Sequence, residues 1–231
     1  MERTDGHPVI HYWLKVDATD LSGYKIEMHL HQVPPHFQLA MATHHEYDDR
    51  FWRFVKDFHV EADGGKAVAV RTDSALWDIT IPGSDAVVSY KILLPGGRRF
   101  AHQPFLASYG GLLGDIHSFL YLVGQTQIPD TVTFELPDGW QIATGLERTA
   151  GNNSFIAASA KTLMDCPVLT GRLHQWNFRV KGIPYTIAYL PVAGTPAFGS
   201  ARDWRCSMQT CWSGGQAFHA KTPRAQRIWN P

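Results

Sequence analysis

The chain has 231 residues, 44% hydrophobic and 12% aromatic, enough apolar material for one large β domain or two small ones with a packed core. Lysine plus arginine equals aspartate plus glutamate at 21 each, so no net field draws nucleic acid or an anionic membrane surface. Apolar runs such as 119–123 fall far short of the ~20 residues that cross a bilayer, so neither nucleic acid nor membrane is an expected partner.

The opening residues MERTDGHPVIHYW carry no apolar core and no small-residue cleavage site. Cytoplasm is the default expectation, with secretion or a periplasmic location if an upstream signal has been lost. Three cysteines, Cys166, Cys206 and Cys211, are too few and too unevenly placed for a disulfide framework.

In chain order, the apolar residues follow a period of two from position 9 to 190. Tyr24, Ile26, Met28 and Leu30 alternate with Lys25, Glu27, His29 and His31, the pattern of a strand with one buried and one wet face. Further strands are expected at 37–41, 58–62, 67–71, 75–81, 86–94, 117–123, 131–136, 140–144, 154–158, 172–180 and 185–190. Two segments break the pattern. Residues 47–57 place Tyr47, Phe51, Phe54 and Val55 at helical spacing, and 158–164 make a helical turn stopped by Pro167. Glycine pairs and prolines punctuate the strands at intervals that fit a sandwich of antiparallel sheets. The expected fold is therefore all-β, an antiparallel β-sandwich with one or two short helices over 1–191.

Residues 192–231 differ in kind. They hold two of the three cysteines, three of the eight tryptophans and a single acidic residue, Asp203, with no sustained period. An irregular or disordered tail is expected there, although such tails are usually poor in Trp and Cys. Translation out of frame is the sharper reading.

Strong chemical signatures are missing: no Gly-x-Ser-x-Gly, no P-loop and no Cys-x-x-Cys. His45-Glu46-Tyr47-Asp48-Asp49 approaches a zinc helix, but Asp49 stands where a second imidazole is needed. His29 and His31 project from one face of a strand and are the weak metal candidates, with His36, His44, His45 or His102 as a third ligand. Their place on the polar face favours solvated surface histidines. Cys206, Cys211 and His219 match no common zinc module. No catalytic residue and no cofactor-binding residue is nominated. Trp13, Trp52, Trp77, Trp140 and Trp176 could form a carbohydrate platform, but their strand positions favour core packing. Asp165 reads as a turn or cap residue at the Pro167 corner.

The stretch 134–171 combines a Pro137-Asp138-Gly139-Trp140 turn with an Asp165-Cys166-Pro167 corner and offers no obvious catalytic group. Together with His11-Tyr12-Trp13-Leu14-Lys15-Val16, THHEYDDRFWRFVKDF at 43–58, Asp73-Ser74-Ala75-Leu76-Trp77 and Leu163-Met164-Asp165-Cys166-Pro167-Val168 with Gly171, it resembles the N-terminal domain of the glycyl aminopeptidase family. These are thermolysin-like zinc metallopeptidases that also carry a PDZ domain. The resemblance spans about 11–190.

It implies a β-sandwich that precedes the catalytic domain, packs on it and walls one side of the substrate cleft. The catalytic domain and a peptide at the domain interface are the implied partners. In the family, zinc polarises a water and a glutamate acts as general base. The zinc-binding His-Glu-x-x-His of that domain matches no position here, so zinc belongs to the parent family and no metal or cofactor is expected in this chain, which is expected to be inactive alone. A free-standing β-sandwich module for glycan or protein is the alternative, and an exposed coplanar aromatic pair on one sheet face would favour it. A small metal enzyme using His29 and His31 is the third reading.

Overall fold

In the computed structural model the residues described are 7–43, 50–94 and 103–191, together with the backbone of Ala217–Lys221. The chain enters through β1 (Val9–Lys15), β2 (Gly23–His31) and β3 (His36–Met41), then makes a 3-10 turn at Phe51–Phe54. It continues through β4 (Val55–Ala62), β5 (Val68–Asp73), β6 (Leu76–Thr80) and β7 (Ala86–Leu93). After β8 (Phe105–Ala107), β9 (Gly110–Gly114) and a 3-10 turn at Asp115–His117 come β10 (Leu120–Leu122), β11 (Asp130–Glu135), β12 (Gln141–Thr144), β13 (Glu147–Arg148) and β14 (Ser154–Ala157). A helix, α1 (Ala160–Met164), leads to β15 (Pro167–Gly171), β16 (His174–Val180) and β17 (Ile183–Tyr189), and the backbone strand β18 (Ala217–Lys221) pairs with β17.

A seven-stranded sheet in the order β13-β14-β11-β1-β2-β7-β4 faces a four-stranded sheet, β10-β3-β6-β5, across the main core. Alternation puts Ile10, Tyr12 and Leu14 of β1 and Tyr24, Ile26, Met28 and Leu30 of β2 into that core. All-β sandwich is thus the architecture. One ladder departs from the antiparallel expectation: β1 pairs with β11 in parallel, from Ile10 opposite Asp130 to Lys15 opposite Glu135. The long connection between the two strands makes a parallel return possible.

Two expected elements take other forms. The helix expected over 47–57 is, among the described residues, a single 3-10 turn at Phe51–Phe54 that gives way to β4 at Val55. A bulge between Lys56 and His59, with Asp57 at φ +53°, hides the strand period there. The strand expected over 117–123 is confined to Leu120–Leu122. Around it, hydroxyls of three buried tyrosines converge: Tyr12 donates to Leu120 O (2.8 Å), Tyr90 donates to Ser118 O (3.0 Å) and accepts from Leu120 N, and Tyr24 bonds the Ser118 hydroxyl (2.6 Å). These bonds satisfy a bend that would otherwise bury orphan polar groups.

In the third sheet, β12-β15-β9-β8, Gly110 and Gly171 lie directly opposite each other at φ +152° and +137°. A Cβ on Gly171 would come within 2.5 Å of both Gly110 Cα and Tyr109 O, so only glycine allows the backbones to close. The Pro137–Trp140 turn forms as expected, with Trp140 N donating to Pro137 O at 3.1 Å and Gly139 at φ +76°. Ser159 caps α1 by accepting from Thr162 N at 3.1 Å, and Asp165 closes its C-terminus.

Candidate functional site

From Leu173 onward the chain leaves the main sandwich. Residues Leu173, Ala188 and Leu190 join Phe105, Leu112 and Leu169 in a second, smaller apolar cluster, and this roots a hairpin. β16 and β17 are joined by Lys181 and Gly182, both at positive φ, the conformation of a two-residue hairpin turn that matches strand twist. Arg179 reinforces it by donating to Gly182 O at 2.8 Å.

Register then sorts the side chains. Trp176 pairs with Ile187, Phe178 with Tyr185 and Val180 with Ile183, which collects six apolar residues on one face. The opposite face carries Gln175, Asn177 and Arg179, with Thr186 donating to Asn177 at 2.7 Å. An apolar face of this kind normally meets a second layer. Toward the turn it meets none among the described residues: Phe178 is 41% exposed, Val180 46% and Ile183 39%. Large exposed apolar side chains grouped on one strand face mark an interaction surface.

The sequence candidates are distributed differently. His29 and His31 share the outer face of the seven-stranded sheet, but each turns to its own carboxylate. His29 Nε2 lies 3.5 Å from Glu27 Oε2, and His31 Nδ1 lies 3.0 Å from Asp85 Oδ2. The third-ligand candidate His36 bonds Thr80 at 2.9 Å, while His44, His45, His102, Cys206 and Cys211 lie outside the described residues, and His219 stands in β18, known by its backbone alone. Among the described residues no group of three or more His, Cys, Asp or Glu can hold a metal ion. Zinc therefore does not fit the residues described.

Sequence reading missed His11, the direct cross-strand partner of His29. Its ring stacks on Trp13 at 5.0 Å and its Nε2 bonds Thr133 Oγ1 at 2.9 Å. Burial, then the nearby His29 and His31, lower its pKa. Only strand register brings these rings together, so no local motif announces them. Trp77 is buried and stacks on Phe58 at 5.3 Å, while Trp13, Trp52, Trp140 and Trp176 are half-buried. Cys166 is half-buried, and burial together with Asp165 pushes its thiol up to about 11, so it is no nucleophile at neutral pH. Asp130 was also missed. It is fully buried at the start of β11 with neither carboxylate oxygen bonded, and burial pushes it up to about 7.

The described residues thus combine a β-sandwich with a hairpin that is apolar on one face. Residues 11–172 match the family described as the peptidase M61 N-terminal domain. The chain belongs to that family. The match ends two residues before β16, short of the 11–190 that the resemblance spans.

Among solved structures, the aminopeptidase N family protein of Idiomarina loihiensis is similar over 77% of this chain and 32% of its own, with 19% identity and a TM-score of 0.69. That likeness shows the fold. An M1 zinc metallopeptidase of Deinococcus radiodurans, a variant bound to a Tyr-Ser-Ala substrate, is 13% identical over 85% of this chain and 51% of its own, at a TM-score of 0.46. The chain thus spans between about a third and a half of the length of these neighbours. A comparison with curated proteins finds no match. No helix among the described residues is long and apolar enough to cross a membrane.

Proposed function

We propose that this chain is the non-catalytic N-terminal β domain of a glycyl-aminopeptidase-like zinc metallopeptidase, one that also carries a PDZ domain. Its role is to pack on a thermolysin-like catalytic domain and wall one side of the peptide cleft. The observation that carries this reading is the apolar face of β16 and β17, which leaves Phe178, Val180 and Ile183 open at the end of the described sandwich. Burying such half-exposed side chains against a partner is worth about 1 kcal/mol each. The rooted, two-residue turn holds them in place before docking, which limits the ordering cost.

The zinc and general base of the reaction belong to the partner domain in this reading. Metal analysis of the purified chain, with an assay against glycyl and alanyl amides, tests it. The expected result is no hydrolysis; stoichiometric zinc with hydrolysis contradicts it.

One observation favours the alternative of a free-standing binding module. Phe178 and Tyr185 form a coplanar aromatic pair, 5.5 Å between centroids and 11° from parallel, on one sheet face. Such a platform suits the face of a sugar ring. Affinity electrophoresis in neutral polysaccharides, with retardation lost in Tyr185→Ala, would support the alternative over docking.

A further inference from the structure

Strand register lines up like charges on the outer face of the seven-stranded sheet. Lys15 of β1 stands directly opposite Lys25 of β2, Lys25 opposite Lys91 of β7, and Lys91 opposite Lys56 of β4. Alternation sends all four side chains to the wet side, because their chain neighbours Leu14, Ile26, Ile92 and Val55 fill the core. Four lysines therefore form one row across four adjacent strands. Neighbouring strands lie ~4.8 Å apart, so the row spans roughly 14 Å, and adjacent lysines are rooted well within the ~8 Å screening length of physiological salt.

Like charges directly opposite each other work against a sheet. The fold answers two of the four. Lys15 Nζ pairs with Glu135 at 3.2 Å, and Lys91 Nζ with Asp20 at 2.6 Å and the Ser22 hydroxyl at 3.1 Å. The nearby Asp17 is turned to its own loop, accepting from the Thr19 hydroxyl at 2.7 Å. Asp57 follows Lys56 on the bulge of β4 without pairing with it. Lys25 and Lys56, both exposed, thus have no ion-pair partner among the described residues.

Lysine is a compact, rotatable point charge that accepts a carboxylate or phosphate in many orientations. The surroundings narrow the choice. Glu135 closes one end of the row, Asp20 borders it on the loop side, and Glu27 lies in the next outer row, opposite Trp13. A broad polyanion such as duplex nucleic acid or an anionic membrane meets those carboxylates as well as the lysines. A narrow chain laid along the row meets the lysines first. An extended peptide rises ~3.3 Å per residue, so about four residues cover it.

We infer that this row binds a short acidic segment of a partner protein, a run of aspartate or glutamate laid across β1, β2, β7 and β4, with Lys25 and Lys56 as its main recognition residues. The row belongs to the seven-stranded sheet and not to the β16–β17 hairpin, so it does not depend on the docking reading.

Fluorescein-labelled hexaglutamate is titrated with the full chain in dilute buffer and at physiological salt, following anisotropy. Saturable binding that weakens steeply with salt is expected, and none with hexalysine. Lys25→Glu with Lys56→Glu is expected to weaken it about tenfold or more. Lys66→Glu with Lys161→Glu, exposed lysines off the row with the same change of net charge, is expected to leave affinity within about twofold. The row variant also raises the unfolding midpoint of the free chain in dilute buffer, because it removes like-charge contacts, so its loss of binding is not a loss of fold. No saturable binding of hexaglutamate, an equal loss in the off-row variant, or tighter binding of a short DNA duplex than of hexaglutamate overturns the inference.

Discussion

Phe178 faces Tyr185 across the β16–β17 ladder with ring planes 11° from parallel, and the pair sits between Trp176–Ile187 at the root and Val180–Ile183 at the turn. One face of the hairpin is therefore continuous apolar surface, buried at Ile187 and open at Phe178. If it serves docking and not folding, Phe178→Ser with Ile183→Ser leaves the stability of the isolated chain within about 0.5 kcal/mol of the parent. Chemical unfolding measures this, and binding of an apolar dye to the native chain falls in parallel. A loss of several kcal/mol would mean that the hairpin belongs to the core.

Asp130 predicts an unusual pH dependence. Its carboxyl is raised from 3.8 to about 7 in the folded chain, so the folded state holds a proton that the unfolded state has lost between those values. Stability from this group is highest below about pH 4, falls as pH rises to about 7 and stays reduced above. The full penalty is on the order of 4 kcal/mol. Asp130→Asn flattens that slope, so the variant gains on the parent progressively from pH 4 to 7 in urea unfolding. A constant offset across that window contradicts the assignment.

His11 works in the opposite direction. Its pKa is lowered by burial and by His29 and His31, so the unfolded state takes up a proton first as pH falls. Stability from His11 is complete above the ordinary histidine range, ~6.5, and is lost as pH drops below it. His11→Gln removes this acid-side loss, and comparing unfolding midpoints of variant and parent on either side of pH 6.5 checks the sign.

Two glycines at positive φ separate backbone strain from collision. A side chain on Gly139 meets nothing within 4 Å, whereas one on Gly171 meets Gly110 Cα and Tyr109 O at 2.5 Å. Gly139→Ala is expected to cost about 1 kcal/mol and Gly171→Ala roughly 3 kcal/mol or more, read from denaturation midpoints. Equal costs would show that the β9–β15 approach can relax.

The sheets were legible where one face is wet, as in β2, where Ile26, Met28 and Leu30 alternate with Glu27 and His29. Gly110–Gly114 and Pro167–Gly171 were not read as strands, because burial on both faces or nearly so removes the alternation. Phe51, Phe54 and Val55 fit a helical stripe, yet a turn followed by a bulged strand satisfies the same residues. The hairpin strands were visible, but its one-sided apolar face depends on the register Phe178–Tyr185, which the Lys181-Gly182 turn sets. Asp130 follows from burial, which leaves no local pattern.

Docking is tested most directly by mixing the full chain with the separately produced thermolysin-like catalytic domain of a peptidase M61 relative and measuring association by calorimetry. A one-to-one complex is predicted, weakened about tenfold or more in Phe178→Ser with Ile183→Ser, as expected when two apolar anchors leave an interface. No association, or association that the double variant leaves unchanged, would contradict the account.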